Sequence, residues 1–145
     1  MKPYVTLKIL DKVGYIEFFN PPHNALTPSL LNDLTSLINS AAIENKIHII
    51  VLKSGGDRVF CAGASFNQMV EISDEVEGKS FFMGFANVIN ALRKCPKIII
   101  GSVQGKAVGG GVGLASAVDI CFATEFADIK LSELSVGIGP FVIEP

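Results

Sequence analysis

The sequence predicts an α/β fold, because strand-like and helix-like patterns alternate along its 145 residues. Apolar clusters at residues 5–9 and 13–19 flank Asp11-Lys12, which is the pattern of a β-hairpin. Leucine and isoleucine then recur at helical spacing over residues 28–43. Because further strand and helix patterns follow without a break, we expect one domain spanning residues 1–145.

The predicted helices have recognisable ends. Thr27 can cap the first helix, and Pro28 suits its first helical position. A second helix is predicted over residues 75–93, where phenylalanine and aliphatic residues recur at helical spacing before Pro96. Extended segments are predicted at residues 47–52, 97–103, 119–123, 129–131 and 136–138, with a small-residue loop at 59–64 and a short helix after residue 113.

Composition and charge exclude several classes of protein. A net charge of −2 gives no electrostatic reason to expect nucleic acid. No apolar stretch reaches the roughly 18 residues of a membrane span, and the N-terminus lacks a signal-peptide pattern. Cys61, Cys95 and Cys121 form no Cys-x-x-Cys pair, which argues against a disulfide framework or a zinc site. We therefore expect a reduced, cytoplasmic protein without a metal, whose cysteines are small core residues.

A glycine-rich segment at residues 105–113 is the most informative motif. Glycine lets ligand atoms approach backbone N–H groups, and a helix start directs such groups at an anion. The segment fits neither the Gly-x-Gly-x-x-Gly fingerprint of dinucleotide sites nor the P-loop pattern, and no nucleophile elbow is present. An oxyanion that develops during a reaction is therefore favoured over a bound phosphate.

A second loop of small residues, at 60–64, also follows a strand-like segment. Two such loops side by side could each donate one N–H to a single oxygen atom, forming an oxyanion hole. Tight packing of a helix on a strand favours glycine as well, and the residues alone leave both interpretations open. Downstream, Glu133 is a lone acid among apolar residues, which suits a general acid or base, although a surface carboxylate at a turn has the same pattern.

Five segments of the chain occur in the order seen in the enoyl-CoA hydratase/isomerase (crotonase) family, and the resemblance covers essentially the whole chain. They are Asn24-Ala25-Leu26, residues 60–64, residues 105–111, Asp119-Ile120 and Ser132-Glu133-Leu134. The resemblance implies a spiral of repeated β-β-α units and an acyl-CoA thioester substrate, with no cofactor beyond that CoA. It also implies a homo-oligomer, a trimer or hexamer. Family members continue into a C-terminal helical region, and this chain ends on apolar residues, so we expect that region to be missing here.

The resemblance also assigns roles to residues. It places the two oxyanion N–H donors at Ala64 and Gly110 and the catalytic acid at Glu133. Further residues expected to bind the acyl-CoA substrate are Ala25, Ala62, Ser65, Phe66 and Asn67.

Two departures from the family pattern affect the predicted reaction. Many members have Asp where this chain has Ser65, and typical hydratases have a first glutamate where this chain has Gly113. The one-glutamate pattern resembles the bacterial methylglutaconyl-CoA hydratase branch. We expect a hydratase-type lyase acting on unsaturated acyl-CoA thioesters. The alternatives are a double-bond isomerase, in which one base removes and returns a proton, and an acyl-CoA-binding protein without catalysis.

Overall fold

The computed structural model describes residues 2–140 and 142, apart from the side chains of Phe66, Asn67 and Val136. A five-stranded sheet runs in the order β1-β2-β3-β5-β7. Only the hairpin pair β1–β2 is antiparallel, and the remaining neighbours are parallel. The strands are β1 (Tyr4–Leu10), β2 (Val13–Phe19), β3 (Ile49–Ser54), β5 (Ile98–Val103) and β7 (Ile120–Ala123).

A second, smaller parallel sheet has the order β4-β6-β8. Its strands are β4 (Val59–Cys61), β6 (Lys106–Val108) and β8 (Ile129–Lys130). After the β1–β2 hairpin and the helix that follows it, each turn of the chain adds one strand to the large sheet, one to the small sheet and then helical structure. This arrangement confirms the predicted α/β spiral of β-β-α units.

Two long helices pack against each other and supply much of the core, and the first of them also contacts β1 and β2. Helix α1 (Pro28–Ile43) begins as predicted, with the Thr27 hydroxyl accepting from the Leu30 N–H at 3.3 Å. Helix α3 (Glu75–Lys94) begins at Asp74, whose side chain accepts from the Glu77 N–H. The two shorter helices are α2 (Phe66–Met69) and α4 (Gly110–Ser116). No helix in the described residues is long and apolar enough to cross a membrane.

Three local expectations were wrong. The glycine-rich segment 105–113 contains strand β6, which the sequence did not predict, and the short helix expected after residue 113 already begins at Gly110. Residues 136–138 are not extended, because a 3-10 helix spans Glu133–Val136 and Gly137 ends it in a left-handed conformation with φ of 75°. The expectation that all the cysteines are core residues fails at Cys121, which is exposed on β7. Cys61 is buried and Cys95 is half-buried.

Asn24 holds together the loops that surround β4. It is only 3% exposed, and its side-chain N–H group donates to the carbonyl oxygens of Gly55 and Val59, both at 2.8 Å. Its side-chain oxygen accepts from the Asn20 N–H at 2.8 Å. Asn24 also adopts a left-handed backbone with φ of 54°, a conformation that asparagine tolerates better than most residues. The side chain therefore joins three separate segments.

Replacing Asn24 should destabilise the fold. We expect Asn24→Gly to cost about 2–4 kcal/mol, because it removes three hydrogen bonds and leaves the Gly55 carbonyl oxygen and the Asn20 N–H without these partners, whereas the Val59 oxygen keeps only the Gln104 amide. Asn24→Ala should cost about 1 kcal/mol more, because alanine is also strained at positive φ. Denaturant unfolding measures both values. Asn32→Ala, an exposed substitution on α1, is the control and should change stability by less than about 0.5 kcal/mol. A cost for Asn24→Gly no larger than that of the control would contradict this role.

The cysteines should differ in reactivity. Burial raises the pKa of the Cys61 thiol to about 12, so at pH 8 roughly 10⁻⁴ of it is thiolate. We expect a thiol reagent to modify Cys121 in the native protein at pH 8 and Cys61 only after unfolding, as measured by peptide mass spectrometry. Because the folded-state pKa is the higher one, this thiol stabilises the fold below about pH 9 and loses that contribution toward pH 12. Cys121→Ser should remove the fast reaction, and rapid native modification of Cys61 would refute the assignment.

Candidate active site

The two small-residue loops identified in the sequence lie against each other. Gly63, with φ of 83°, sits so close to the second loop that a Cβ there would be 3.0 Å from the Val108 oxygen and 3.3 Å from the Gly110 nitrogen. Only glycine combines that backbone conformation with so close an approach. The first loop therefore meets the second where helix α4 begins.

A short parallel pairing with the Asn24 segment fixes the first loop. The Leu26 N–H donates to the Gly63 oxygen at 2.8 Å, and the Ser65 N–H donates to the Leu26 oxygen at 3.2 Å. These bonds flank Ala64, which forms an isolated bridge with Leu26. In residues 2–140 the Ala64 N–H has no backbone acceptor of its own. The pairing thus leaves a positioned donor unused.

The glycine run supplies the opposite wall. Gly109, with φ of 54°, donates its N–H to the Lys130 oxygen at 2.9 Å, which ties the run to the segment that leads to Glu133. A Cβ on Gly109 would lie 3.0 Å from the Glu133 Oε1 and 3.3 Å from the Ser132 Oγ. Gly110 is the first residue of α4, so its N–H has no partner within the helix. Glycine here allows the carboxylate to approach the start of the helix.

Backbone hydrogen bonds to its carbonyl oxygen fix the position of Glu133. Its carbonyl oxygen accepts from the Ile138 N–H at 3.0 Å and also from Gly137, whose left-handed conformation ends the 3-10 helix. The residue is half-buried, and its Oε2 atom is fully buried with no hydrogen-bond partner among the described residues. A buried polar atom without a partner costs about 1–3 kcal/mol, and more when it is charged. Such an atom marks a position where a ligand can supply the missing bond.

These elements enclose one cavity of about 200 Å³. The first loop contributes Ala62, Gly63 and Ala64, and the glycine run contributes Gly109 and Gly110. A third wall comes from the segment around Glu133, namely Ser132, Glu133, Ile138, Gly139, Pro140 and Val142. Side chains of α2 and α3 complete it, namely Met69, Phe81, Phe82 and Phe85. Residues of both small-residue loops, one carboxylate and an apolar wall thus border the same space.

The predicted site residues fall into three groups. Ala62, Ala64, Gly110 and Glu133 line the cavity together. The other members of the prediction, Ala25 and Ser65, are not among its lining residues, and the side chains of Phe66 and Asn67 lie outside the described residues.

Gly113, at the position of the missing first glutamate, is buried in α4 and does not line the cavity in the described part of the chain. Among the described residues, no group of three His, Cys, Asp or Glu side chains could hold a metal ion.

The lining residues that the sequence did not assign to the site include four side chains from α2 and α3, namely Met69, Phe81, Phe82 and Phe85. The three phenylalanines carry the helical periodicity that predicted α3. That periodicity identifies the inward face of the helix, but it does not distinguish a protein neighbour from a cavity. The signal in the sequence that could have indicated these lining residues was a cluster of aromatic residues in a chain that also contains two glycine loops.

Comparison with known proteins agrees with this architecture. The model of the enoyl-CoA hydratase/isomerase family matches residues 8–144. Mitochondrial methylglutaconyl-CoA hydratase of Mus musculus is 32% identical over 117 residues, which are 81% of this chain and 37% of that protein. Ethylmalonyl-CoA decarboxylase of Xenopus tropicalis is 31% identical over 135 residues, which are 92% of this chain and 44% of that protein. The chain spans about half the length of the curated relatives it matches.

A solved structure gives the same result. A Legionella pneumophila protein of the enoyl-CoA hydratase/isomerase (crotonase) type superposes with a TM-score of 0.91 at 35% identity. The superposition covers 97% of this chain and 55% of that protein. Matches in both sequence and fold over nearly all of its residues leave one assignment: the chain belongs to the enoyl-CoA hydratase/isomerase family.

Proposed function

We propose that this protein is a hydratase-type lyase that adds water across the 2,3 double bond of an unsaturated acyl-CoA thioester, or removes it. The observation that carries the proposal is the buried, unpartnered Glu133 carboxylate oxygen in a cavity shared with the two small-residue loops. Hydration needs a stabilised thioester oxygen and a group that moves a proton, and both requirements correspond to groups in this cavity. The CoA belongs to the substrate, so the reaction as proposed requires no further cofactor.

In this proposal the N–H groups of Ala64 and Gly110 donate to the thioester oxygen. Negative charge develops on that oxygen as the enolate forms, and fixed donors stabilise it without reorganising. The pairing with Leu26 and the start of α4 support this role, because they hold both donors in place without using them. Removing one donor of this kind raises a reaction barrier by about 3 kcal/mol.

Glu133 would perform the proton transfers. Its carboxylate takes a proton from water as the oxygen attacks C3, and the resulting acid returns that proton to C2 of the enolate. The hydroxyl group and one hydrogen are thereby added across the double bond. Because Gly113 stands at the position of the first glutamate, one carboxylate would handle both steps.

Gly113 also favours a second candidate, a double-bond isomerase. Such an enzyme needs only one base, which removes a proton from one carbon and returns it to another. The same pair of N–H donors would stabilise the same enolate. The two reactions differ in whether water enters the product.

We also propose that the protein is a homo-oligomer and that it lies in a reducing compartment. Six large apolar side chains of the β7–β8 region are 47–78% exposed, namely Ile120, Phe122, Phe126, Ile129, Leu131 and Leu134. An exposed apolar surface of this kind is typical of a protein contact, which supports a homo-oligomer such as a trimer or hexamer. Three free cysteines suit a reducing compartment such as the cytoplasm.

Replacing the proposed base tests the mechanism directly. We expect Glu133→Gln to lower turnover of short unsaturated acyl-CoAs by about 10²–10⁴-fold, because the amide keeps the shape but accepts no proton. Thioester binding should survive, as measured by calorimetry. Glu125→Gln, an exposed change in the loop after β7, is the control and should leave turnover unchanged. Unchanged turnover in Glu133→Gln would exclude the assigned role.

Product analysis in ¹⁸O-labelled water separates the candidates. A hydratase should incorporate one labelled oxygen at C3, whereas an isomerase should yield an unlabelled product with a shifted double bond. Mass spectrometry of the thioester distinguishes the two outcomes. Binding without any conversion of short and branched unsaturated acyl-CoAs would instead support the non-catalytic alternative.

A further inference from the structure

Helix α3 lines the cavity with aromatic side chains. Phe81 and Phe82 contact each other edge to face, with ring centroids 5.3 Å apart, and Phe81 is 7% exposed. Phe85 is 4% exposed, and a Cβ on Gly110 would lie 2.5 Å from its ring. The aromatic wall therefore reaches the proposed thioester position, so a substrate held there lies against it.

The charge of the described cavity lining comes from one residue. Glu133 is the only ionisable side chain among the described residues that line it, and none of these residues is Lys, Arg or His. A second carboxylate on the acyl group would lose its hydration without gaining a cationic partner from the described residues that line the cavity. It would also face the negative charge of Glu133 across a cavity of about 200 Å³.

The size of the cavity limits what enters it. Pockets that hold a drug-sized ligand start at about 300 Å³, so this one takes a smaller group. The acyl part of a thioester meets that limit, whereas the CoA part does not. The space around Glu133 is thus an acyl pocket for a short chain.

We infer that the aromatic wall of α3 restricts the enzyme to short, uncharged acyl groups and rejects acyl groups with a second carboxylate. The inference rests on the proposed function. The Mus musculus relative is named a methylglutaconyl-CoA hydratase, and a methylglutaconyl group carries a second carboxylate. The acyl selectivity inferred for this chain therefore differs from the one that this name implies for the relative. Phe82 is the position where this selectivity can be changed, since it lines the cavity and is only half-buried, whereas Phe81 and Phe85 are buried.

Binding of saturated thioesters tests this selectivity without any turnover. Butanoyl-CoA and succinyl-CoA have four-carbon acyl groups that differ in the terminal carboxylate. We expect calorimetry on the purified protein to give at least about 30-fold weaker binding for succinyl-CoA, because its carboxylate is buried unpaired. Affinities within about 3-fold of each other would overturn the inference and leave the proposed function standing. Failure of both thioesters to bind would overturn the proposed function, and the inference with it.

A charge introduced into the wall should reverse the effect. We expect Phe82→Arg to reduce the difference between the two thioesters to about 5-fold or less, because the guanidinium pairs with the second carboxylate. Met83→Arg is the matched control, since Met83 is 41% exposed on the same helix and does not line the cavity. An equal gain of succinyl-CoA binding in both variants would mean that a positive charge on either side of the helix attracts the ligand, and it would contradict the role of the aromatic wall. The wild-type comparison decides the inference even if Phe82→Arg does not fold.

Discussion

The candidate site depends on the hydrogen bonds between the Asn24–Leu26 segment and the loop after β4. The side chain of Asn24 anchors the segment, and the backbone of Leu26 then pairs on both sides of Ala64. Without this pairing, residues 62–65 would be a glycine-containing loop with many accessible conformations. With it, one N–H is held free at the edge of a cavity. The position of the proposed Ala64 donor is thus set by residues about 40 positions earlier in the chain.

Tight packing and the proposed oxyanion role are not competing explanations of the glycine run. A Cβ on Gly109 would crowd the Glu133 carboxylate, one on Gly110 would overlap the Phe85 ring, and one on Gly111 would collide with Cys61. Three consecutive glycines therefore admit three different neighbours, from a later segment, a helix and the other loop. The close packing brings the carboxylate and the aromatic wall to the start of α4. An argument from glycine content alone has to leave these two roles open, because both require the same missing side chain.

Local patterns in the sequence predicted the elements that local interactions determine. The hairpin and the helices α1 and α3 follow from alternation, helical spacing and capping residues. Strand β6 was missed because its three residues are extended only through pairing with β4 and β8, which are distant in sequence. The error at residues 136–138 has a different, local cause, since Gly137 adopts a left-handed conformation and donates to the carbonyl oxygens of Glu133 and Leu134, which ends a helical turn there. The four residues Ala62, Ala64, Gly110 and Glu133 were placed by family resemblance, and periodicity could not show that Phe82 faces a cavity.

The unpartnered oxygen of Glu133 has a consequence for engineering and evolution. A buried acceptor without a donor lowers the stability of the folded chain, so substitutions that remove it should raise the melting temperature. Selection for thermostability alone would then favour apolar residues at this position, and a protein selected in this way would lose the proposed base. A library of variants screened for stability should therefore be counter-screened for turnover of acyl-CoA thioesters.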